Sequence, residues 1–329
     1  MANKKTFIIT TSIVWGLLIG IFILGTIFDL QISQLFVDLP RGEYYSENIF
    51  AVLGEILGEQ VLYGFLTCAC AIIFFRLLRS PLEKRWLNTL LMVAMCVLGA
   101  LVGFYCFYKM SKYIGIYTDF GLTEFRATTV GKLALFAMSL VVTFCIFLCF
   151  IKVKQETLQN LAKWAIWVLI ISAVSNAFVQ GLKLFWGRTR FRAMNYMNDT
   201  EFSHYTNWFQ INKDRFAVVD EVPFLDDFYK SFPSGHSCAS ASMFLLVLLP
   251  CFVKRTNTTG CKIALMTTAC VYTFLVTLSR IVAGAHFFTD VFVGAFSTII
   301  AVFIAKWFFI EKRFRKNKQE KTTEEKSTK

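Results

Sequence analysis

Long apolar runs recur along this chain, and they constrain its fold more than any other feature of the sequence. A helix needs about 20 residues to cross the hydrocarbon core of a bilayer. Many of the runs reach that length, and 56% of all residues are hydrophobic. The sequence therefore predicts an all-α, polytopic transmembrane helix bundle. The candidate spans, about eight in number, are residues 6–28, 60–78, 86–108, 131–153, 162–185, 237–253, 263–282 and 286–310.

The charge pattern predicts how these spans are oriented. The net charge is +12, but the basic residues lie mainly in short loops and at the C-terminus, so nucleic acid is not expected as a partner. If Lys4 and Lys5 are inside, the basic clusters between later spans also fall on the cytoplasmic side. We therefore expect both termini in the cytoplasm. The end of the fifth span, the start of the sixth and the turn between the seventh and eighth then share the outer face.

Two segments lack the composition of a span. Residues 29–59 mix acidic residues with apolar patches, and we expect them along the membrane interface. Residues 312–329 are charged and low in complexity, which predicts a disordered cytoplasmic tail because such a segment cannot bury enough apolar surface to fold alone. The ten cysteines lie almost entirely inside apolar runs, where cysteine behaves as a small hydrophobe, so no disulfide framework is expected.

Two polar clusters lie at the end of the fifth span and the start of the sixth. Lys183 and Arg190 are about two helical turns apart and could share one face of a continued helix. Ser234 and Gly235 open an apolar run, where a helix N-terminus offers free N–H groups to a phosphate. His236 would stand at the mouth of that site. Taken alone, snorkelling basic residues and an ordinary N-cap with an interfacial histidine also explain these clusters.

A third cluster is the stretch SRIVAGAHFFTD, residues 279–290. His286 and Asp290 are four residues apart, so on a helix they would stack on one face and could hydrogen-bond. Asp290 would then hold one imidazole nitrogen as a donor and leave the other free to attack. Arg280 lies across a glycine-containing turn that brings it back towards the same site. A structural ion pair is the alternative, but ionisable groups near membrane depth cost about 2.5–3.5 kcal/mol each, which favours a functional use.

The three clusters give K-x6-R, then P-S-G-H, then S-R-x5-H-x3-D, and this order resembles the signature of the type 2 phosphatidic acid phosphatase superfamily. The same core occurs in vanadium haloperoxidases and microsomal glucose-6-phosphatase. The resemblance implies a six-helix-type phosphatase core, which we place at residues 161–311 with an outer loop at 186–232. Residues 1–160 would then be additional N-terminal transmembrane helices. Family members usually have proline where this sequence has Phe191, so we expect altered loop geometry with retained chemistry.

The resemblance also implies a role for each motif residue. His286 would be the nucleophile that forms a phosphohistidine, Asp290 would orient it, and His236 would protonate the leaving oxygen. Three cations and backbone donors can neutralise a phosphate without a metal, and no other cofactor is expected. The residues that would bind the phosphate oxygens are Lys183, Arg190, Ser234, Gly235 and Arg280.

The leading hypothesis is a membrane-embedded, metal-independent phosphatase of a lipid phosphate or lipid diphosphate, acting at the extracytoplasmic face of the plasma (cytoplasmic) membrane. Phosphatidate, phosphatidylglycerol phosphate and polyprenyl diphosphate all fit as substrates that keep their tails in the lipid bilayer. Two alternatives stay open. One is phosphotransfer to a lipid or alcohol acceptor, and the other is a lipid-binding or transport protein without turnover. No oligomeric state is predicted.

Several polar residues near the clusters match no motif. Arg188 and Arg192 flank the phosphate-binding residues. They either add to the positive electrostatic field at the site or are solvated loop charges. Asp227 and its neighbour Asp226 are expected to be loop acids rather than metal ligands. His204 is expected to be a solvated loop histidine.

Overall fold

The computed structural model describes residues 4–36, 44–118, 121–212 and 227–327. Within these ranges the regular elements are helices and no strand occurs, which confirms the all-α prediction. The α-helices are α1 (Lys4–Ile27), α2 (Asp29–Gln34), α3 (Ile49–Leu57), α4 (Gln60–Arg79), α5 (Arg85–Tyr117), α6 (Leu122–Ala127), α7 (Thr129–Leu148), α8 (Gln155–Trp186), α9 (Phe191–Tyr196), α10 (Gly235–Ser240), α11 (Leu249–Phe252), α12 (Thr259–Val282) and α13 (Phe288–Ser327), with 3₁₀ helices at Ala241–Leu248 and Lys254–Thr256.

Seven helical segments of the described chain are long and apolar enough to cross a membrane, as expected for an integral membrane protein. The first predicted span corresponds to α1, whose apolar stretch Ser12–Ile27 is shorter than these seven. The orientation of the termini stays a prediction. The seven segments are Ile49–Arg79, Arg85–Tyr117, Thr129–Leu148, Gln155–Tyr196, Gly235–Phe252, Thr259–Val282 and Phe288–Phe309.

The last helix extends into the charged C-terminal segment. Helix α13 begins at Phe288 and continues as far as Ser327, through most of residues 312–329. Lys, Arg, Glu and Gln, which dominate this segment, are good helix formers. They also extend a helix that already exists, so the unfavourable nucleation step is not needed.

The chain divides into two compact units. Unit 2 comprises Ile56–Asn176, Ala239–Phe274 and Phe296–Lys329. In it α4, α5 and α7 pack against one another, and the indole N–H of Trp164 donates to the carbonyl of Leu245 over 2.8 Å.

Unit 1 comprises Met1–Glu55, Ala177–Cys238 and Leu275–Ala295, and it contains every residue of the three motifs. Helix α1 packs closely on the start of α13, because a Cβ on Gly25 would overlap the ring of Phe288. The rings of Phe22 and Phe292 lie 4.8 Å apart in the same contact. Unit 1 therefore joins the N-terminal residues to the motif residues.

Candidate active site

The carboxylate of Asp290 is held from three directions in the first turn of α13. Its Oδ2 accepts the backbone N–H of Phe287 at 2.9 Å and the hydroxyl of Ser231 at 2.5 Å. Its Oδ1 accepts from Nη1 of Arg188 at 2.6 Å. The side chain is fully buried. These bonds fix the carboxylate in one orientation at the start of the helix.

His286 has a defined tautomer. Its Nδ1 lies 2.6 Å from the carbonyl oxygen of Ser231, and because a carbonyl can only accept, Nδ1 must carry the proton. In the neutral ring Nε2 then holds the free lone pair. The ring is 1% exposed, so water has little access to it. This is the arrangement that a nucleophilic imidazole requires.

The expected hydrogen bond between His286 and Asp290 is not formed. Their closest atoms, Nδ1 and Oδ2, are 3.9 Å apart, which exceeds hydrogen-bond length. Stacking at i and i+4 needs a continuous helix, but His286 precedes α13, which begins at Phe288. Ser231 links the two residues instead, since its carbonyl accepts from His286 and its hydroxyl donates to Asp290. Sequence reasoning gave Ser231 no role.

The surroundings of His286 hold its pKa well below 6.5. Burial is the largest cause, because it disfavours the charged ring. The positive charges of Arg190, Lys183 and Arg280, and the nearby His236, act in the same direction. His286 is therefore neutral at pH 7, and four predicted site residues lie close enough to influence it.

This depressed pKa predicts a stability change on acidification. The unfolded chain binds a proton on His286 near pH 6.5, whereas the folded state does so only at lower pH. The contribution of the neutral ring is therefore complete above pH 6.5 and is lost as the pH falls towards the folded pKa. Thermal unfolding in detergent should show a larger drop in Tm between about pH 7 and about pH 5 for the wild type than for His286→Gln. Equal drops would contradict the assignment of a buried neutral ring.

The phosphate clamp (Lys183, Arg190 and Arg280) is brought together in unit 1. Lys183, in the last turn of α8, donates from Nζ to the carbonyl of Lys230 at 3.2 Å. Arg190 is 7% exposed, and its Nη2 pairs with Asp227 at 3.0 Å. Among the described residues, Nε of Arg190 has no hydrogen-bond acceptor.

Arg280, in the last turn of α12, is fully buried. Its Nη2 donates to Oε1 of Glu55 at 3.1 Å. Its Nε and Nη1 find no acceptor within the part of the chain that the structure describes. A buried N–H group without an acceptor costs free energy of folding. Two such groups on one guanidinium cation are suited to bind an anion.

The second motif lies directly against the first and the third. A Cβ on Gly235 would be 3.9 Å from Nζ of Lys183, so the ammonium group faces the start of α10. The backbone N–H of Ser234 donates to the carbonyl of Asp290 at 2.9 Å. His236 is 7% exposed, and its Nε2 lies 3.1 Å from the carbonyl of Glu55. The predicted site residues thus form one site around His286.

Gly294 permits the close approach of the second motif to α13, and a substitution at this position tests the contact. A Cβ at position 294 would overlap the backbone carbonyl of Ser234. Gly294→Ala should displace the second motif from α13 and lower the turnover number at least about tenfold, since a misplacement of 1 Å costs about a hundredfold. Gly20→Ala is the matched control, because no atom of the described residues lies within 4 Å of the added methyl. Full activity of Gly294→Ala in a phosphate-release assay would contradict the contact.

Arg188 is a site residue that sequence reasoning left undecided. It is fully buried, so it is not a solvated loop charge. Its guanidinium bridges two carboxylates, Asp29 at 2.8 Å and Asp290 at 2.6 Å. Asp29 also accepts the backbone N–H and the hydroxyl of Thr289, at 2.9 and 2.5 Å. A carboxylate from the segment predicted to be interfacial is therefore part of the support of Asp290.

The carboxylate of Asp227 has a larger role than that of a plain loop acid. It pairs with Arg190 at 3.0 Å and accepts from the hydroxyl of Tyr44 at 2.6 Å. Burial raises the pKa of Tyr44 to about 12, so this hydroxyl keeps its proton. Arg192 is 3% exposed and lies 4.4 Å above the Tyr44 ring, so it too is not a solvated charge. Asp226 lies outside the described residues.

Phe191 occupies the first turn of α9 and is fully buried. Its ring contacts those of Phe202 and Phe287, each with a centroid distance of 6.0 Å. Proline is well tolerated at the first position of a helix. The residue that replaces the usual proline therefore sits where proline would fit, and it adds an aromatic contact beside His286.

Two further observations concern residues away from the reacting groups. His204 is 48% exposed and pairs through Nδ1 with Asp199 at 2.8 Å, in line with a solvated loop histidine. In the described part of the chain, no group of three or more His, Cys, Asp or Glu side chains could hold a metal ion.

Comparison with known proteins assigns a family to the site. Residues 164–314 match the family model of the PAP2 superfamily. This stretch contains all the predicted site residues, from Lys183 to Asp290. The match supports assignment of this stretch to the type 2 phosphatidic acid phosphatase superfamily, as the motifs indicate, and the match together with the apolar helices fits a membrane phosphatase. No curated protein and no solved structure matches the chain.

Proposed function

We propose that this protein is a metal-independent membrane phosphatase that hydrolyses a lipid phosphate or lipid diphosphate through a phosphohistidine. The observation that carries the proposal is the state of His286. Its Nδ1 proton is fixed on a carbonyl, its Nε2 lone pair is free, and burial together with the neighbouring cations keeps the ring neutral. A neutral imidazole among cations attracts an anionic phosphate and can attack it.

The first step transfers the phosphoryl group to the protein. The lone pair of His286 Nε2 attacks phosphorus, and the bond between phosphorus and the lipid oxygen breaks. The electron pair of that bond leaves with the lipid oxygen, which takes a proton from His236 as general acid. A phosphate monoester releases a lipid alcohol, and a diphosphate releases a lipid monophosphate.

The second step returns the enzyme to its starting state. A water molecule attacks phosphorus, and His236, now neutral, accepts the proton that the water loses. The bond between Nε2 and phosphorus breaks, and inorganic phosphate leaves. The Ser231 carbonyl stabilises the Nδ1–H of the ring throughout, because that bond is strongest when the ring carries positive charge.

The phosphate clamp supplies the charge that the transferred group requires. The N–H groups of Arg190 and Arg280 that have no acceptor within the described residues would bind its non-bridging oxygens. Lys183 beside Gly235 adds a third cation. The substrate tail would stay among the apolar helices while its headgroup enters the site from the extracytoplasmic face of the plasma membrane.

A panel of lipid phosphates tests the proposal. Protein purified in detergent should release inorganic phosphate from at least one of phosphatidate, phosphatidylglycerol phosphate and a polyprenyl diphosphate, with and without a chelator, while His286→Ala serves as the blank. Loss of release on addition of chelator would sink the metal-independent mechanism. Transfer of phosphate to an added alcohol in place of water would establish phosphotransfer, and vanadate binding without any turnover would favour a lipid-binding protein.

A further inference from the structure

Helix α3 packs against the third motif over one face of small residues. Ala51 is fully buried and clusters with Ala283 and Ala285 in the turn that follows α12. A Cβ on Gly54 would overlap the side chain of Ser279. These contacts bring the backbone of α3 unusually close to the turn between Arg280 and His286. The side chain of the residue that follows Gly54 therefore lies in the candidate active site.

That side chain is Glu55, which is 2% exposed and contacts three basic residues of the site. Its Oε1 accepts from Nη2 of Arg280 at 3.1 Å. Its Oε2 lies 3.6 Å from Nη1 of Arg192. Its backbone carbonyl lies 3.1 Å from Nε2 of His236. Glu55 precedes the stretch that matches the PAP2 superfamily by more than a hundred residues, so no motif points to it.

The bond to Glu55 uses only one edge of the Arg280 guanidinium. The remaining donors, Nε and Nη1, have no acceptor among the residues that the structure describes. A buried guanidinium without a fixed partner would adopt several rotamers, because an arginine side chain has about 2 kcal/mol of rotamer entropy. A carboxylate on Nη2 removes that freedom and leaves the other donors for a ligand.

We propose that Glu55 is a positioning residue of the phosphate site, which tethers Arg280 through Nη2 so that Nε and Nη1 are presented to the phosphoryl group. The inference rests on the proposed function, because it assigns the phosphoryl group as the ligand of Arg280. The backbone carbonyl of Glu55 also contacts Nε2 of His236, so the same residue of α3 helps to position the imidazole. One turn of α3 therefore sets the positions of a phosphate-binding cation and of the general acid.

The sign of the affinity change separates a tether from a simple negative charge. If Glu55 acted only through its charge, its removal would make the site more positive and an anion would bind more tightly. If Glu55 is a tether, its removal frees Arg280 and an anion binds more weakly. Glutamine retains an oxygen that can accept from Nη2, so a tether predicts that Glu55→Gln is much milder than Glu55→Ala.

Binding of orthovanadate, a phosphate analogue, to the full-length protein in detergent measures this change without a lipid substrate. Glu55→Ala should bind vanadate about tenfold or more weakly than the wild type, which is the loss expected for a hydrogen bond to a charged group. Glu55→Gln should remain within about threefold. Glu59→Ala is the matched control, since Glu59 contacts Tyr63 and lies 3.9 Å from Lys109 in unit 2.

A second comparison shows whether Glu55 acts through Arg280. In an Arg280→Ala background, Glu55→Ala should change vanadate affinity by less than about twofold, because the tethered group is already absent. An undiminished effect in that background, or unchanged or tighter binding by Glu55→Ala alone, would overturn the proposal. If Glu55→Ala does not fold, Glu55→Asp replaces it. Glu55→Asp should bind vanadate more weakly than Glu55→Gln, because its side chain is one methylene shorter and its carboxylate is withdrawn from Arg280. Weak vanadate binding by Glu55→Ala supports the tether even if no lipid phosphate is hydrolysed, and that absence of turnover would count against the proposed function alone.

Discussion

Replacing His286 with alanine is expected to lower phosphate release from the lipid substrate by at least about a thousandfold, because the proposed covalent step loses its nucleophile. The clamp remains in place, so vanadate should still bind to His286→Ala. The measurement is single-turnover phosphate release in detergent, combined with acid and base treatment of the protein after incubation with a ³²P-labelled lipid. The wild type should retain label that is lost in acid and stable in base, as expected for a phosphohistidine, and the variant should retain none.

His204→Ala is the matched control for this experiment. His204 is exposed and paired with Asp199 in the loop that follows α9, so its loss should leave both turnover and labelling unchanged. Labelled protein from His286→Ala, or turnover within tenfold of the wild type, would show that the phosphoryl group is accepted elsewhere and would refute the mechanism.

Replacing Arg188 with alanine is expected to destabilise the protein by about 3–5 kcal/mol, because two buried carboxylates lose their shared counter-ion. Asp29 and Asp290 are at most 1% exposed and cannot be solvated by water in the folded state. Arg188→Lys should rescue only part of this loss, since one ammonium cannot span both carboxylates in the geometry of a planar guanidinium. Unfolding in detergent, followed by intrinsic fluorescence against denaturant, measures the change.

Arg85→Ala is the control for Arg188, because Arg85 is an exposed arginine at the start of α5. Substitutions at such positions usually change stability by less than about 0.5 kcal/mol. Turnover of folded Arg188→Ala should also fall, since Asp290 loses one of the bonds that fix it beside Ser231. Equal stability of Arg188→Ala and the wild type would mean that the two carboxylates are not ionised together.

The motif residues that the sequence suggests all lie in unit 1, and sequence reasoning could find them because the motifs are local. The spacing within Lys183 to Arg190 and within Arg280 to Asp290 is fixed by a few helical turns, and the predicted orientation of the spans puts these segments on one face. What sequence reasoning missed is long in range. Asp29 is 159 residues from Arg188, and Glu55 is 225 residues from Arg280. No periodicity connects such pairs, so only the folded chain shows that two acids of the supposed interfacial segment are counter-ions of the site.

The link between His286 and Asp290 failed for a related reason. A separation of four residues suggests a shared helix face, but the helix begins two residues after His286. The true link passes through Ser231, which lies 55 residues away from His286. A pattern of spacing cannot show that a backbone carbonyl, rather than the expected side chain, holds the imidazole.

The positions of Asp29 and Glu55 bear on how this architecture could arise and be re-engineered. The family-matched stretch carries Arg188 and Arg280, but Asp29, one of the two acids that pair with Arg188, and Glu55, which pairs with Arg280, come from the chain before residue 60. An excised core would retain every motif residue, and yet Arg280 would lose Glu55 and Arg188 would keep only Asp290 of its two carboxylates. The family-matched stretch thus depends on N-terminal residues for its ion pairs. Substitutions in the N-terminal helices and in the motifs must therefore be compatible with each other.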